Sequence, residues 1–191
     1  MKSKLKGSKT EQMLINAFAG ESMARNKYTF YAKQAKDEGF EQISEIFLMT
    51  ADNEKEHAEH FYEHIESEHS QITASYPFEL GTTKENLKAA IDGEHEEHTK
   101  LYADGEKIAK EEGFTEISDL FKHVRRAEEH HEARFKKLLD NIINETVFKK
   151  DYETDWMCRK CGYIIHSKEA PTKCPNCHHA QAYFQVKCEE Y

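Results

Sequence analysis

Apolar side chains recur every three or four positions along four long stretches of this chain, which is the spacing of residues on one face of an α-helix. The pattern predicts four helices that pack as a bundle around a shared core. A glutamate interrupts each apolar face near its middle. In chain order the four faces are Leu14, Ala17, Glu21, Ala24, Tyr28, Tyr31 and Ala35; Ile43, Phe47, Thr50, Glu54, His57, Phe61 and His64; Leu87, Ala90, Glu94, Glu97, Leu101 and Ile108; and Ile117, Phe121, Val124, Glu128, His131, Phe135, Leu138 and Ile142.

An internal duplication divides the helical region into two halves. Residues 37–43 (DEGFEQI) return as residues 111–117 (EEGFTEI), an offset of 74 positions. Each half is predicted to be a helical hairpin that turns at Gly39 or Gly113, because glycine readily adopts the left-handed conformation that ends many helices.

The polar residues of the apolar faces follow the same duplication. The offset is 73 positions near the first pair of glutamates and 74 further along. The matched residues are Glu21 with Glu94, Glu54 with Glu128, and His57 with His131. With the 73-residue offset Glu97 corresponds to Ala24, so Glu97 is an addition to a symmetric set of six.

This set is typical of a two-metal carboxylate site. Burying an ionised carboxylate costs several kcal/mol unless a positive group pairs with it, so facing glutamates would repel one another. Two divalent cations would remove that conflict. Bundles that hold two iron or manganese ions use one Glu on each of two helices and Glu-x-x-His on each of the other two. Glu21 and Glu94 match the first kind of helix here, and Glu54/His57 and Glu128/His131 match the second.

A solvated helix face is the competing interpretation. The chain is 33% charged, and residues 94–98 (EHEEH) would fit such a face. A single Glu-x-x-His arises easily by chance among 12 histidines and 36 acidic residues. Two such pairs in register with two further glutamates do not, so the metal site is the favoured prediction.

The last 41 residues have a different character, and we predict a boundary between residues 1–150 and 151–191. All five cysteines lie in this tail. Two Cys-x-x-Cys pairs allow four thiolates to converge on one tetrahedral metal ion, and the spacing accommodates zinc and iron alike. The four predicted ligands are Cys158, Cys161, Cys174 and Cys177. Cys188 stands outside the pattern and is predicted to be a free thiol.

The net charge of −9 argues against nucleic acid or an anionic membrane as a partner. No apolar stretch approaches the length that spans a bilayer, and Met1 to Lys9 resembles neither a secretory signal nor an anchor. Thiols spaced for metal binding suit a reducing compartment, so we expect a cytoplasmic protein.

Over nearly its whole length the chain resembles rubrerythrin, because duplicated hairpins with this glutamate and histidine set precede a short-spaced, rubredoxin-like ending. Cys158-Arg-Lys-Cys-Gly-Tyr163 is similar to the first rubredoxin knuckle. The second knuckle, residues 174–179 (CPNCHH), lacks the glycine that commonly follows the last cysteine in free-standing rubredoxins. The resemblance implies an all-α ferritin-like four-helix bundle with a small C-terminal rubredoxin-like metal-binding β module.

The resemblance also implies three iron ions per chain: two in the bundle and one bound by the four cysteines, where zinc is a possible substitute. Glu54 and Glu128 would bridge the iron pair, with Glu21 on one iron and Glu94 and His131 on the other. The first iron would be bound by Glu97 when oxidised and by His57 when reduced. The ferric ion favours an anionic carboxylate, whereas a neutral imidazole serves a ferrous ion.

In function, the resemblance implies a peroxidase that reduces hydrogen peroxide to water, with electrons relayed through the cysteine-bound iron. The external donor would be a rubredoxin or an NAD(P)H-dependent reductase. Rubrerythrins associate head to tail, so a homodimer or higher oligomer is expected. Tyr28 lies seven residues beyond Glu21 on the same face, and Tyr102 lies beside the third face. Either phenol could contact a ligand or donate to peroxide, and ordinary packing in the core is at least as good an alternative.

Two other functions compete with this one. A ferroxidase that handles iron, as ferritins do, would use the same bundle, but it needs neither an electron relay nor the extra Glu97. A zinc-ribbon protein with no turnover would be colourless, whereas ferric tetrathiolate is red.

Overall fold

The computed structural model describes residues 4–72 and 76–189. Its first part is the predicted four-helix bundle. The helices are α1 (Lys9–Asp37), α2 (Glu41–Glu63), α3 (Thr83–Glu96), α4 (Tyr102–Glu111) and α5 (Thr115–Ile143). A π-helical segment, Glu97–Leu101, joins α3 to α4, so these three pieces form the third long helix of the bundle.

The two predicted hairpin turns are confirmed. Gly39 between α1 and α2 has φ 83°, and Gly113 between α4 and α5 has φ 87°. Residues with a Cβ rarely adopt this conformation, which explains why glycine occupies both turns. The predicted crossover between the hairpins has no helix or strand in its described parts, and residues 73–75 lie outside the described residues.

The apolar core consists of two blocks with a polar layer between them. One block surrounds Tyr31, Phe47 and Phe135, and the other surrounds Phe61 and Phe121. Along each long helix, the glutamate of the apolar face lies between a residue of one block and a residue of the other. The four glutamates are therefore brought to one level in the middle of the bundle.

The apolar face predicted for the third helix is wrong beyond Glu97. Leu101, predicted to be buried, is 41% exposed, while its neighbour Tyr102 is 2% exposed. Ala109 is likewise fully buried in place of Ile108. A π turn inserts one residue into a helix, so every later position is rotated relative to the α-helical pattern. The insertion also explains why the offset between the halves grows from 73 to 74.

The C-terminal part is a three-stranded antiparallel sheet in the order β2-β1-β3. The strands are β1 (Lys149–Cys158), β2 (Ile164–Glu169) and β3 (Phe184–Val186). Trp156 and Phe184 are buried at the centre of its small core. The Trp156 indole donates a hydrogen bond of 3.0 Å to the carbonyl of Ser167.

This small sheet packs against the turn between α1 and α2 and the start of α2. Phe148 stacks on Phe40 with ring centroids 6.3 Å apart, and Arg159 forms an ion pair with Glu45 on α2. In the part of the chain that the structure describes, no helix has both the length and the apolar character to cross a membrane.

Candidate metal centres

Six of the seven predicted bundle ligands meet in the polar layer. They form two groups whose possible ligand atoms lie within 4.8 Å of one another, and each group draws on at least three helices. The first group is Glu21, Glu54, His57 and Glu128. The second group is Glu54, Glu94, Glu128 and His131. Two adjacent cations placed in these groups would share Glu54 and Glu128.

In the first group His57 is the central residue. Its Nδ1 lies 3.0 Å from Glu54 Oε2, 3.0 Å from Glu128 Oε1 and 3.6 Å from Glu21 Oε1. The three glutamates come from α1, α2 and α5, and all three carboxylates point toward the His57 ring.

His131 occupies the same place in the second group. Its Nδ1 lies 2.9 Å from Glu128 Oε2, 3.3 Å from Glu54 Oε1 and 3.5 Å from Glu94 Oε2. The imidazoles of His57 and His131 are stacked with centroids 5.9 Å apart. The two groups are thus related as the duplication in the sequence predicts.

Buried atoms without hydrogen-bond partners test whether this layer suits metal ions. Among the described residues, such atoms include Glu21 Oε2, Glu94 Oε2, both carboxylate oxygens of Glu128, and His131 Nδ1. Buried polar atoms are normally satisfied, so this concentration of unpaired oxygens in one layer is unusual for a protein core. Carboxylate oxygen and imidazole nitrogen are ligands that divalent iron accepts. The residues present therefore fit a pair of metal ions.

Protons balance the charge of the layer in the absence of metal. Burial, followed by the repulsion of Glu128 and Glu54, raises the pKa of Glu21 well above its ordinary value. Burial likewise raises the pKa of Glu94 to about 8, although the neighbouring imidazole of His131 opposes the change.

The pKa values of the two histidines are also raised, which favours their positively charged forms. Burial alone would lower the pKa of His57, but the adjacent carboxylates of Glu128 and Glu54 outweigh it and raise the pKa to about 9. For His131, burial again lowers the pKa, but the neighbouring carboxylates, Glu128 first, outweigh it and raise the pKa to about 12. These protons occupy positions at which bound cations would place their charge.

Two buried tyrosines support the layer. The Tyr28 hydroxyl donates to Glu94 Oε1 at 2.5 Å, and the Tyr102 hydroxyl donates to Glu21 Oε1 at 2.6 Å. Both phenols therefore contact predicted ligands while also packing in the core, which combines the two roles foreseen for them. Arg134, which the sequence analysis did not single out, adds positive charge near Glu94 and Glu54.

Glu97, the seventh candidate, belongs to neither group. It is partly buried at the start of the π segment and lines a cavity of about 380 Å³ with Lys27, Tyr76 and Phe78. Burial and the charges of Glu94 and Glu128 raise the pKa of Glu97 well above its ordinary value, and Lys27 opposes the change. Nothing in the apolar pattern signalled Lys27 and Tyr76, because neither belongs to a glutamate-bearing face.

The four predicted cysteines converge as expected. Sγ of Cys158 lies 3.7 Å from Sγ of Cys177, and Sγ of Cys161 lies 3.7 Å from Sγ of Cys174. A tetrahedral ion with metal–sulfur bonds of about 2.3 Å places its sulfurs about 3.8 Å apart, so the cluster fits one such ion. Cys188 is exposed and outside the cluster.

The second knuckle keeps its turn without the missing glycine. His178 takes the left-handed conformation with φ 63°, and its backbone N–H donates to the carbonyl of Cys174 at 3.0 Å. Gly162, with φ 73°, makes the equivalent bond to Cys158 at 2.8 Å. Both knuckles therefore have the same backbone N–H to carbonyl hydrogen bond, although only the first has glycine at the donor position.

Comparison with known proteins identifies relatives of both parts of the chain. Residues 12–139 match the rubrerythrin family, and residues 156–185 match the rubrerythrin rubredoxin-like domain. A putative rubrerythrin of Methanocaldococcus jannaschii is 50% identical, over 95% of this chain and 94% of that protein. A rubrerythrin of Porphyromonas gingivalis is 50% identical, over 100% of this chain and 96% of that protein.

Solved structures of nigerythrin have a similar fold. A structure described as the fully reduced state of nigerythrin (all ferrous) is similar to this chain with a TM-score of 0.64 and 30% identity, covering 95% of this chain and 90% of that one. The duplicated bundle, its carboxylate layer and the four-cysteine cluster are the features that these sequence matches span. The chain therefore belongs to the rubrerythrin family.

Proposed function

We propose that this protein is a cytoplasmic non-haem di-iron peroxidase that reduces hydrogen peroxide to water. The observation that carries the proposal is the pair of buried ligand groups that share Glu54 and Glu128. Two irons held side by side would supply the two electrons that cleavage of one O–O bond requires and would act as Lewis acids toward the oxygens.

The residues of the two groups have distinct parts in this proposal. Glu54 and Glu128 would bridge both positions, Glu21 would complete one, and Glu94 and His131 would complete the other. Tyr28 and Tyr102 hold the carboxylates of Glu94 and Glu21 in place through their hydrogen bonds. The description of a nigerythrin relative as all ferrous supports iron as the metal.

Glu97 and His57 give the first position a choice of partner. Glu97 lines the cavity beside the layer, whereas His57 contacts the carboxylates of Glu54 and Glu128. We propose that only one of the two residues binds the first iron at a time. With His57 serving as the ligand, the Glu97 carboxyl would remain unbound to metal in the wall of this cavity. Reduction of one peroxide consumes two electrons and two protons and yields two waters. In this proposal Glu97 would supply one of these protons and solvent the other, and Glu97 would then bind as a carboxylate.

Residues 1–150 would carry the reaction and residues 151–191 would relay electrons. A third iron held by Cys158, Cys161, Cys174 and Cys177 would accept electrons one at a time from a rubredoxin or an NAD(P)H-dependent reductase. Zinc at this position would stop the relay, because zinc has no redox chemistry. A homodimer or higher oligomer is part of the same proposal.

Rapid mixing tests the reaction. Fully reduced iron-loaded protein should be oxidised far faster by hydrogen peroxide than by dioxygen. Faster oxidation by dioxygen, together with uptake of many irons per chain, would instead favour the iron-handling function.

A matched pair of variants tests the relay. Cys174→Ser should keep the fast single oxidation of the bundle by peroxide but lose steady-state turnover with an external donor. Cys188→Ser, which changes an exposed cysteine outside the cluster, should keep both. Full steady-state turnover in Cys174→Ser would contradict the relay.

A further inference from the structure

A second group of metal-ligand side chains lies outside the carboxylate layer. His95 at the end of α3 and His98 in the π segment both contact Glu132 on α5. His95 Nδ1 lies 3.1 Å from Glu132 Oε1, and His98 Nε2 lies 2.7 Å from Glu132 Oε2. The two imidazole rings meet edge to face with centroids 5.2 Å apart.

The burial of this group resembles that of a site with one open side. Glu132 is 6% exposed, so its carboxylate is held among protein atoms. The His98 side chain is 16% exposed and that of His95 is 59% exposed. The carboxylate thus forms the floor of the group, and His95 stands at the solvent side, where an ion would enter.

The donor set and its spacing suit a transition-metal ion. Two imidazole nitrogens and one carboxylate favour zinc or ferrous iron over magnesium or calcium, which prefer oxygen ligands alone. In a tetrahedral site, bonds of about 2.0 to 2.2 Å place neighbouring ligand atoms about 3.3 to 3.6 Å apart. The separations of 2.7 and 3.1 Å are shorter than that range, so the side chains would have to move apart by a few tenths of an ångström or more to admit an ion.

We propose that His95, His98 and Glu132 form a separate mononuclear site for a divalent transition-metal ion such as zinc or ferrous iron. Three protein ligands would leave at least one position for water, as in open zinc sites. The site is independent of the peroxidase proposal, since none of its three residues belongs to the two groups that share Glu54 and Glu128.

Lys136 is the competitor for this site. Its Nζ lies 2.5 Å from Glu132 Oε1, one helical turn further along α5. The Lys136 side chain is half exposed and can move into solvent when an ion binds. Removal of the Lys136 charge should therefore strengthen metal binding. If the two histidines and Glu132 only form hydrogen bonds with one another, removal of that charge should not change the affinity for metal.

Zinc titration of the oxidised, iron-loaded full-length protein tests the site, with zinc and iron per chain measured after desalting. We expect one added zinc per chain and unchanged iron. His98→Gln retains a hydrogen-bond donor to Glu132 but lacks the ring nitrogen, and it should weaken this binding by about tenfold or more. Lys136→Gln should bind more tightly, and His123→Gln, which changes an exposed histidine of the same helix outside the group, should match the parent.

Three results would overturn the proposal. The first is an absence of added zinc in both the parent and Lys136→Gln. The second is zinc uptake matched by an equal loss of iron. The third is zinc binding that is the same in His98→Gln as in His123→Gln. All three results are measurements of bound zinc and iron, and none depends on peroxide turnover. A loss of the zinc site can therefore be distinguished from a lack of peroxidase activity.

Discussion

Tyr28 and Tyr102 occupy equivalent positions in the two halves of the bundle, and each donates a hydrogen bond to a glutamate of the other half. Tyr28 contacts Glu94, and Tyr102 contacts Glu21. The two tyrosines are 74 positions apart, whereas the two glutamates are 73 apart. The π turn that lies between Glu94 and Tyr102 supplies the extra residue and keeps the exchange of hydrogen bonds symmetric.

Loss of the Tyr102 hydroxyl should weaken metal binding. Groups that orient a ligand typically contribute about tenfold or more to metal affinity, so Tyr102→Phe should release iron to a chelator at about tenfold lower chelator concentration. Tyr28→Phe should behave alike, because its contact is equivalent. Tyr152→Phe changes an exposed tyrosine of the sheet and serves as the control. Equal iron retention in all three variants would show that these hydrogen bonds do not support the ligands.

Sequence periodicity was sufficient to predict the bundle and the level at which its acids meet. It succeeded because Glu54 and Glu128 each lie in an unbroken α-helix, where spacing alone fixes the buried face. It failed at Leu101, because a π turn changes the phase and has no apolar pattern of its own. The change of offset from 73 to 74 was the one available signal.

Glu97→Ala should keep both irons in the reduced protein yet slow peroxide turnover. The bridging carboxylates and both histidines remain, so the metal pair is still held, but the carboxyl beside the cavity is lost. The loss should be about a hundredfold if Glu97 acts as a proton donor. Iron analysis and steady-state peroxide reduction give the two readings. Glu96→Ala, at an exposed neighbouring position, should match the parent, and an unchanged rate in Glu97→Ala would remove Glu97 from the reaction.

The contacts between distant segments were beyond sequence analysis. Tyr76, in the connection between the hairpins, lines the same cavity as Glu97, and no spacing rule predicts that the two residues come together. His95, His98 and Glu132 come together from two helices, and the histidines belong to a stretch that also fits a solvated face. Such groups depend on how helices pack, which the spacing within one helix does not determine.

The metal-free protein should lose stability as the pH rises from about 6 to 9. The pKa of His57 is raised from 6.5 to about 9, so its contribution is complete below pH 6.5 and is lost as the pH rises through 9. Glu94, raised from 4.5 to about 8, changes in the same direction. The loss should reach about 3 kcal/mol for His57 alone, as an upper bound.

Urea unfolding of the metal-free and iron-loaded proteins at pH 6 and pH 9 measures this effect. Iron requires neutral histidine and ionised carboxylate, so the loaded protein should show a much smaller decrease. Equal stability of the metal-free protein at both pH values would mean that the layer carries no such protons.

Glu11 should be a major contributor to stability at the start of the bundle. Its buried carboxylate accepts backbone N–H bonds of 2.6 Å from Gly7, 2.9 Å from Glu66 and 2.7 Å from Ser67, and a hydroxyl bond of 2.8 Å from Ser67. Glu11→Ala would leave these donors unpaired and should lower the free energy of unfolding by about 2 to 3 kcal/mol. Gln12→Ala, at the exposed next position, is the control in the same urea measurement.

The pH dependence of this contribution has the opposite sign to that of His57. Burial would raise the pKa of Glu11, but the hydrogen bonds from Gly7 and Ser67 outweigh it and lower the pKa below 4.5. The stabilisation is therefore present above pH 4.5 and is lost as the pH falls through the lowered pKa. A difference between Glu11→Ala and the parent that persists unchanged in strong acid would contradict this assignment.

Anomalous scattering at the iron edge from crystals of the iron-loaded protein tests the central claim most directly. We predict two iron peaks about 3.5 to 4 Å apart, with Glu54 and Glu128 between them, and a third peak among the four cysteines. A single bundle peak, or paired peaks away from Glu54 and Glu128, would contradict the dinuclear site.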